Sequence, residues 1–253
     1  MNIKKHIPNA ITCCNLLCGC LAIVQAFEGN LVYAAYLVGM GAIFDFFDGF
    51  AARMLKVSSP IGKDLDSLTD LVTFGVVPGV LMYKLFGTTR LFKIASDSNS
   101  PDISAIAIEN SIYLPQYLAF IITIFSAIRL AKFNNDTRQT DSFIGVPTPA
   151  VALFICSIPL ILNHNNHYDF ILNPYVLIIT SVILSFLLIS ELPLFALKFK
   201  HFKWKDNEIR FVFLGLCLVM LIALQFVGIP LIIIMYILLS VINNIITKKK
   251  VVS

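Results

Sequence analysis

The chain has 253 residues, of which 58% are apolar and 13% are charged, and its formal net charge is +4. Soluble domains are typically about 45–50% apolar and about 25% charged, so this composition excludes an ordinary soluble domain and indicates an all-α integral membrane protein. The six cysteines all lie in apolar segments and are expected to be small apolar side chains rather than disulfide partners. No nucleic-acid partner is expected.

The first apolar segment follows a basic tip, as the apolar region of a signal peptide would. Polar residues and a proline interrupt it early, so we interpret it as a retained membrane span. These residues are Pro8, Asn9, Thr12 and Asn15. A spanning helix needs about 20 mostly apolar residues, and this length predicts about eight spans in one transmembrane domain over residues 1–253. The spans are 8–27, 31–53, 66–86, 112–132, 147–164, 173–196, 210–226 and 228–247, followed by a basic tail at 248–253.

The positive charges orient these predicted spans. Eight spans place both chain ends on one side, and sixteen of the nineteen Lys and Arg residues then fall on that side. The other side keeps Lys84, Arg90 and Lys93. Cytoplasmic loops collect Lys and Arg, so the sequence predicts a protein of the cell membrane with both termini in the cytoplasm.

Two polar loops are predicted on the outer side, at residues 87–110 and 163–169. In the second loop, His164 and His167 could hold a metal ion, but a solvated turn is the favoured interpretation.

Four aspartates lie where the second predicted span ends and the third begins: Asp45, Asp48, Asp66 and Asp70. Residues three or four positions apart share a helix face, so each pair forms an acidic stripe. The connection between the two spans is short, so the helices are expected to be antiparallel neighbours whose stripes face one another. Four carboxylates repel each other unless protons or cations enter, and oxygen ligands without His or thiolate suit Mg²⁺, Mn²⁺ or Ca²⁺.

Residues beside the acids suit a phosphate-rich ligand. Gly49 and Ala52 leave space close to the backbone, and Arg53 supplies a guanidinium fork for phosphate oxygens. A simpler interpretation is that the acids pair with Arg53, Lys56 and Lys63 at the helix ends. It explains one or two aspartates, but not four at matched helical spacing.

The spacing Asp45-x2-Asp48-Gly49-x2-Ala52-Arg53-x8-Gly62-x3-Asp66-x3-Asp70 resembles the signature of the CDP-alcohol phosphatidyltransferases, with every fixed position filled. The resemblance implies that Asp45, Asp48, Asp66 and often Asp70 hold one or two ions of Mg²⁺ or Mn²⁺. These ions hold the diphosphate of a CDP-linked lipid at the cytoplasmic membrane edge. It also implies that Asp70 is the catalytic base for the attacking alcohol. Residues implied in nucleotide binding are Gly49, Ala52, Arg53 and Gly62.

Four further stretches resemble the serine-using members of that family in bacteria and archaea. They are residues 7–23, 62–79, 126–134 and 143–150. This resemblance implies a catalytic core at about 7–150, CDP-diacylglycerol and L-serine as substrates among the membrane lipids, and a homodimer. The segment after residue 150 resembles the family only in being apolar.

Two groups of polar residues keep alternative interpretations. Arg129, Lys132 and Asn134 close the fourth span and could bind a phosphate or the serine carboxylate, or the charges could be ordinary positive-inside anchors. Asn9, Thr12 and Asn15 could reach the nucleotide or could hydrogen-bond to neighbouring helices.

Two other functions compete with transfer to serine. The same chemistry could use another alcohol, such as glycerol phosphate, an inositol compound or choline. A divalent-cation transporter is a more distant alternative, because carboxylates on facing helices could line an ion path. The clustering of all four acids at one membrane edge argues against it.

Overall fold

The computed structural model describes residues 6–57, 59–97, 114–136, 143–164, 166–194 and 208–252. Nearly all of this is helical. The first half contains four α-helices and one π-helical segment: α1 (His6–Phe27), α2 (Leu31–Leu55), α3 (Pro60–Leu71), the π-helix Val72–Val76 and α4 (Val77–Asp97).

The second half contains six further α-helices and one short strand pair. The helices are α5 (Leu114–Tyr117), α6 (Ile121–Asn135), α7 (Thr148–His164), α8 (Pro174–Ile189), α9 (Glu208–Leu224) and α10 (Gly228–Val252). The 3-10 segments are Leu118–Phe120, Asn166–Leu172 and Gln225–Val227. Strand β1 (Phe143–Ile144) pairs antiparallel with β2 (Pro193–Leu194).

The prediction of an all-α membrane protein is confirmed. Five stretches of the described chain are long and apolar enough to cross a membrane, and α7 and α8 are shorter apolar helices. The last of the five, Phe211–Ile245, is a hairpin rather than one straight helix. Its two halves turn back at Gln225, where φ is +49°, and the Phe213 and Tyr236 rings meet at 5.5 Å. With the hairpin counted as two, the described residues contain eight apolar helical segments, at the places of the eight predicted spans.

The boundaries of the third span were predicted wrongly. Helical structure begins at Pro60 rather than at residue 66 and runs through the π-helix to Asp97. Residues 87–97, predicted as loop, are therefore helical, and residues 98–110 of that loop lie outside the described residues. The basic tail is also helical as far as Val252.

Local sequence explains the turn that brings the acids together. Helix α2 ends where Lys56 adopts a left-handed conformation, with φ +52°, and its N–H bonds to the carbonyls of Ala52 and Arg53. Helix α3 starts with Ser59 as its N-cap, which accepts a 3.0 Å hydrogen bond from the Gly62 N–H. Pro60 occupies the first helical turn, where its missing N–H costs nothing.

Helix α1 packs against both helices that carry the acids. Small residues make this close approach possible: a Cβ on Gly41 would lie 2.8 Å from Asn15 Oδ1, and one on Gly19 would meet Thr73. The Thr73 hydroxyl donates to the Asn15 carbonyl at 3.2 Å, which ties α1 to the π-helix.

The π-helix begins at Val72, two residues after Asp70. A π-helical turn disrupts the regular ladder of helical hydrogen bonds, and such turns occur frequently at functional sites. Here the Gly75 carbonyl accepts a 2.9 Å hydrogen bond from the Thr123 hydroxyl of α6. Helix α6 is thereby fixed beside the segment that carries Asp66 and Asp70.

Candidate active site

Three of the four predicted acids converge. One carboxylate oxygen from each of Asp45, Asp48 and Asp66 lies within 4.8 Å of the other two. Asp48 is buried, and the other two are half-buried. Three carboxylates this close repel each other unless a cation is shared, and an all-oxygen donor set fits Mg²⁺ or Mn²⁺ better than zinc. The residues present therefore fit a hard divalent cation.

Asp70 lies one turn beyond Asp66 on α3, next to this group. Its carboxyl approaches that of Asp45 to hydrogen-bonding range. The Oδ1 atom of Asp70 is buried and accepts no hydrogen bond from a donor among the described residues. A buried acceptor normally finds a partner, so this oxygen is available to a ligand.

Helix α1 contributes directly to the acid cluster. The Thr12 hydroxyl donates to Asp48 Oδ2 at 2.7 Å, and both residues are buried. This bond fixes the orientation of the carboxylate, as outer residues commonly do around metal ligands. The sequence left open whether Thr12 meets the nucleotide or a neighbouring helix, and the structure shows the contact with α2.

An open cavity of about 240 Å³ lies beside the acids, where α1, α2 and α3 meet. Seven residues of the predicted site line it: Asn9, Thr12, Asp48, Gly49, Ala52, Gly62 and Asp66. Pro8, Val57, Ser59 and Lys63 complete the lining. A Cβ on Gly62 would lie 3.0 Å from both Asn9 Oδ1 and Ser59 Oγ, so a side chain there would narrow the cavity.

Arg53 lies at the rim of the cavity rather than in its lining. The residue is exposed, and one guanidinium nitrogen lies 3.6 Å from the position that a Gly49 Cβ would take. At this distance a Cβ at position 49 would be in ordinary van der Waals contact with the guanidinium. An Arg in this position can reach an anionic group at the mouth of the cavity.

Arg129 is buried on α6 and interacts electrostatically with Asp70. Its guanidinium lies over the Phe133 ring, 5.0 Å from the centroid. Its Nε atom and the hydroxyl of Ser126, one turn away, are both buried without a hydrogen-bond partner in the part of the chain that the structure describes. Ser126 packs against Gly75 of the π-helix.

The other two residues predicted with Arg129 lie differently. Lys132 is exposed in the last turn of α6. Asn134 is half-buried, and its side-chain amide donates to Ser67 Oγ at 2.8 Å. The amide nitrogen of Asn134 is thus already engaged by α3.

Several residues around the site were not predicted as site residues from the sequence. Lys63 and Ser59 line the cavity, and Ser67 and Ser126 contact or flank the predicted residues. Ser126 could have been found, because it lies three residues before Arg129 and shares its helix face. The interhelical bond of Ser67 depends on how two distant helices pack.

Together the fold and this site define a membrane-embedded protein with an oxygen-only candidate metal centre and a cavity beside it. The profile of the CDP-alcohol phosphatidyltransferases matches residues 5–189, and the chain belongs to this family of transferases. The match includes all four acids and Arg129.

Similar proteins come from bacteria and archaea. A CDP-diacylglycerol–serine O-phosphatidyltransferase of Bacillus subtilis is 33% identical over 199 residues, covering 79% of this chain and 92% of its own length. One of the same name from Methanocaldococcus jannaschii is 30% identical over 225 residues, covering 88% and 85%. An archaetidylserine synthase of Methanothermobacter thermautotrophicus is 28% identical over 165 residues, covering 62% and 61%.

Proposed function

We propose that the protein transfers the phosphatidyl group of CDP-diacylglycerol to the hydroxyl of L-serine, giving phosphatidylserine and CMP. The observation that carries this proposal is the complete family pattern, five of whose eight residues line one cavity, with three carboxylate oxygens within 4.8 Å of each other. The names of the relatives support serine as the acceptor, because the similarity extends over most of this chain and of theirs.

Asp45, Asp48 and Asp66 hold the divalent cation, Mg²⁺ or Mn²⁺, in this proposal, and Asp70 completes the set if a second ion binds. When bound, such ions neutralise charge on the diphosphate and on the departing CMP. The chain contributes the fixed orientation of the carboxylates, for which the bond from Thr12 to Asp48 is one support.

Asp70 acts as the general base. The serine oxygen forms a new bond to the lipid phosphorus, the bond from that phosphorus to the CMP oxygen breaks, and the hydroxyl proton passes to Asp70. Its unpartnered Oδ1 is the oxygen that is free to accept this proton. Because Asp70 and Asp66 share a helix face, the base and the diphosphate site are held at a fixed separation.

The cavity between α1, α2 and α3 takes the nucleotide end of the donor lipid. Gly49, Ala52 and Gly62 leave room for it, Asn9 offers an amide for hydrogen bonding, and Arg53 meets an anionic group at the rim. The acyl chains then stay in the lipid while the nucleotide remains hydrated at the membrane edge.

Of the three residues predicted to bind the acceptor alcohol, Arg129 is the best placed. Its buried Nε and the Ser126 hydroxyl both lack partners among the residues described, and a polar acceptor with a carboxylate would satisfy them. Lys132 is exposed in the last turn of α6 and would attract anionic substrates. For Asn134, which bonds to Ser67, we favour an indirect role.

We also propose that the site and both termini face the cytoplasm at the cell membrane, because Lys and Arg residues concentrate on that side of the predicted topology. A single domain over residues 1–253 with its catalytic core at about 7–150, and a homodimer, complete the proposal.

The direct test is purified protein with labelled serine, CDP-diacylglycerol and Mg²⁺ or Mn²⁺. Labelled phosphatidylserine and an equal amount of CMP are expected. CMP release only with another alcohol would change the acceptor, and cation flux into liposomes without CMP release would replace the enzyme by a transporter.

A further inference from the structure

Three hydrogen bonds form a closed circuit between the start of α3 and the end of α6. Lys63 Nζ donates to the Asn134 carbonyl at 3.0 Å, and Asn134 Nδ2 donates to Ser67 Oγ at 2.8 Å. The Ser67 hydroxyl in turn donates to the Lys63 carbonyl at 3.2 Å. Each of the three side chains thus donates a hydrogen bond to another residue of the set. We call this set the Lys63–Ser67–Asn134 clamp.

The clamp lies between the two helices whose relative position matters most for the acceptor. Ser67 directly follows Asp66 and precedes Asp70 by three residues on α3. Asn134 lies five residues after Arg129 on α6. The ammonium of Lys63 also meets a carbonyl in the last turn of α6, where the helix dipole favours a positive charge.

The hydrogen bonding of Arg129 is itself incomplete. Its Nε has no partner within the described chain, and its neighbours are the Phe133 ring on its own helix and the charge of Asp70. The Thr123–Gly75 bond fixes α6 to the π-helix on one side of Arg129, and the clamp fixes it to α3 on the other.

We propose that Lys63, Ser67 and Asn134 are positioning residues, which hold Arg129 at the correct place opposite Asp70 for the acceptor alcohol. This inference rests on the proposed function, because it needs Arg129 to bind the acceptor. Lys63 also lines the nucleotide cavity, whereas Ser67 and Asn134 are not part of its lining. Loss of the bond between Ser67 and Asn134 is therefore expected to affect the alcohol more than the CDP-linked lipid.

The chain offers a matched control for the central residue. Asn135 is the next residue of α6, and its side-chain amide donates to the Ala131 carbonyl of the same helix at 2.9 Å. Asn134→Ala and Asn135→Ala thus remove the same group from adjacent positions, but only the first breaks the contact with α3. Ser67→Thr keeps the hydroxyl that Ser67→Ala removes.

The experiment measures steady-state kinetics in mixed micelles with serine and CDP-diacylglycerol varied separately. Asn134→Ala and Ser67→Ala are each expected to raise the KM for serine about three- to ten-fold, the loss expected for one hydrogen bond. The KM for CDP-diacylglycerol is expected to stay within about two-fold, and Asn135→Ala and Ser67→Thr to resemble the wild type. The double variant Ser67→Ala/Asn134→Ala is expected to be no worse than either single variant, because both remove the same bond.

Two results would overturn the clamp. One is an Asn134→Ala enzyme indistinguishable from Asn135→Ala. The other is an equal rise in both KM values together with a lower thermal stability, which would indicate a merely structural contact. If the wild type instead fails to use serine, the proposed function fails. The contact itself is then tested by thermal unfolding of Ser67→Ala, Asn134→Ala and the double variant. If the two single changes in stability add up in the double variant, the contact is refuted.

Discussion

Asp70 lies one turn along α3 from Asp66, with one carboxylate oxygen buried and unpartnered among the described residues. Asn is nearly the same size as Asp but cannot accept the hydroxyl proton. Asp70→Asn is therefore expected to lower kcat by about 10²- to 10⁴-fold, the usual contribution of a general base. Binding of CDP-diacylglycerol, measured by isothermal titration, is expected to remain. Near-normal turnover by this variant would remove Asp70 from the role of base.

The activity is expected to depend on metal concentration through the three acids that converge. Asp66→Asn is expected to raise the Mn²⁺ or Mg²⁺ concentration for half-maximal activity by about ten-fold or more, because one charged ligand is lost from a group of three. Asp64→Asn provides the control, since Asp64 is exposed on the same helix and lies outside that group. Equal metal titrations for the two variants would argue against the proposed metal site.

Gly62 tests whether the cavity holds the nucleotide. Gly62→Ala places a Cβ 3.0 Å from Asn9 Oδ1 and Ser59 Oγ, whereas Gly39→Ala adds a Cβ with no atom within 4 Å. We expect the first to raise the KM for CDP-diacylglycerol several-fold and the second to leave it unchanged. A Gly62→Ala enzyme that binds the donor normally would place the nucleotide elsewhere.

At the scale of elements, the π-helix and α6 are joined by the bond from Thr123 to the Gly75 carbonyl. Thr123→Val keeps the shape of the side chain but leaves this carbonyl without its hydroxyl donor. The expected cost is about 0.5–1.5 kcal/mol of stability, seen as a lower Tm in detergent. Thr88→Val is the control, because the exposed Thr88 hydroxyl bonds to the Lys84 carbonyl of its own helix and, among the described residues, to no other helix. Equal Tm values for the two variants would contradict a role for the Thr123 bond.

The elements also show where hydropathy fails as a guide. Residues 60–65 include polar side chains, so the predicted third span began only at residue 66. The helix nevertheless starts at Pro60, because the Ser59 cap and the proline favour initiation regardless of lipid. Likewise α4 continues to Asp97, beyond its apolar part. Hydropathy indicates which residues contact lipid, whereas a helix can continue beyond those residues.

At the scale of the whole molecule, the charge distribution predicts that both termini are cytoplasmic. A fluorescent protein fused after Ser253 is expected to fluoresce, because it folds in the cytoplasm, while alkaline phosphatase at the same position is expected to be inactive. The opposite pair of results would invert the orientation and place the acids on the outer face.

The sequence by itself determined the class of protein, its eight helical segments and the acids that share a helix face. These follow from composition and from the 3.6-residue helical period, which act over a few neighbouring residues. Only the tertiary structure decided that Thr12 meets Asp48, that Arg129 lies beside Asp70 and that Asn134 bonds to Ser67. Such contacts join residues 36 to 67 positions apart, and they depend on how whole helices pack, which no local spacing encodes.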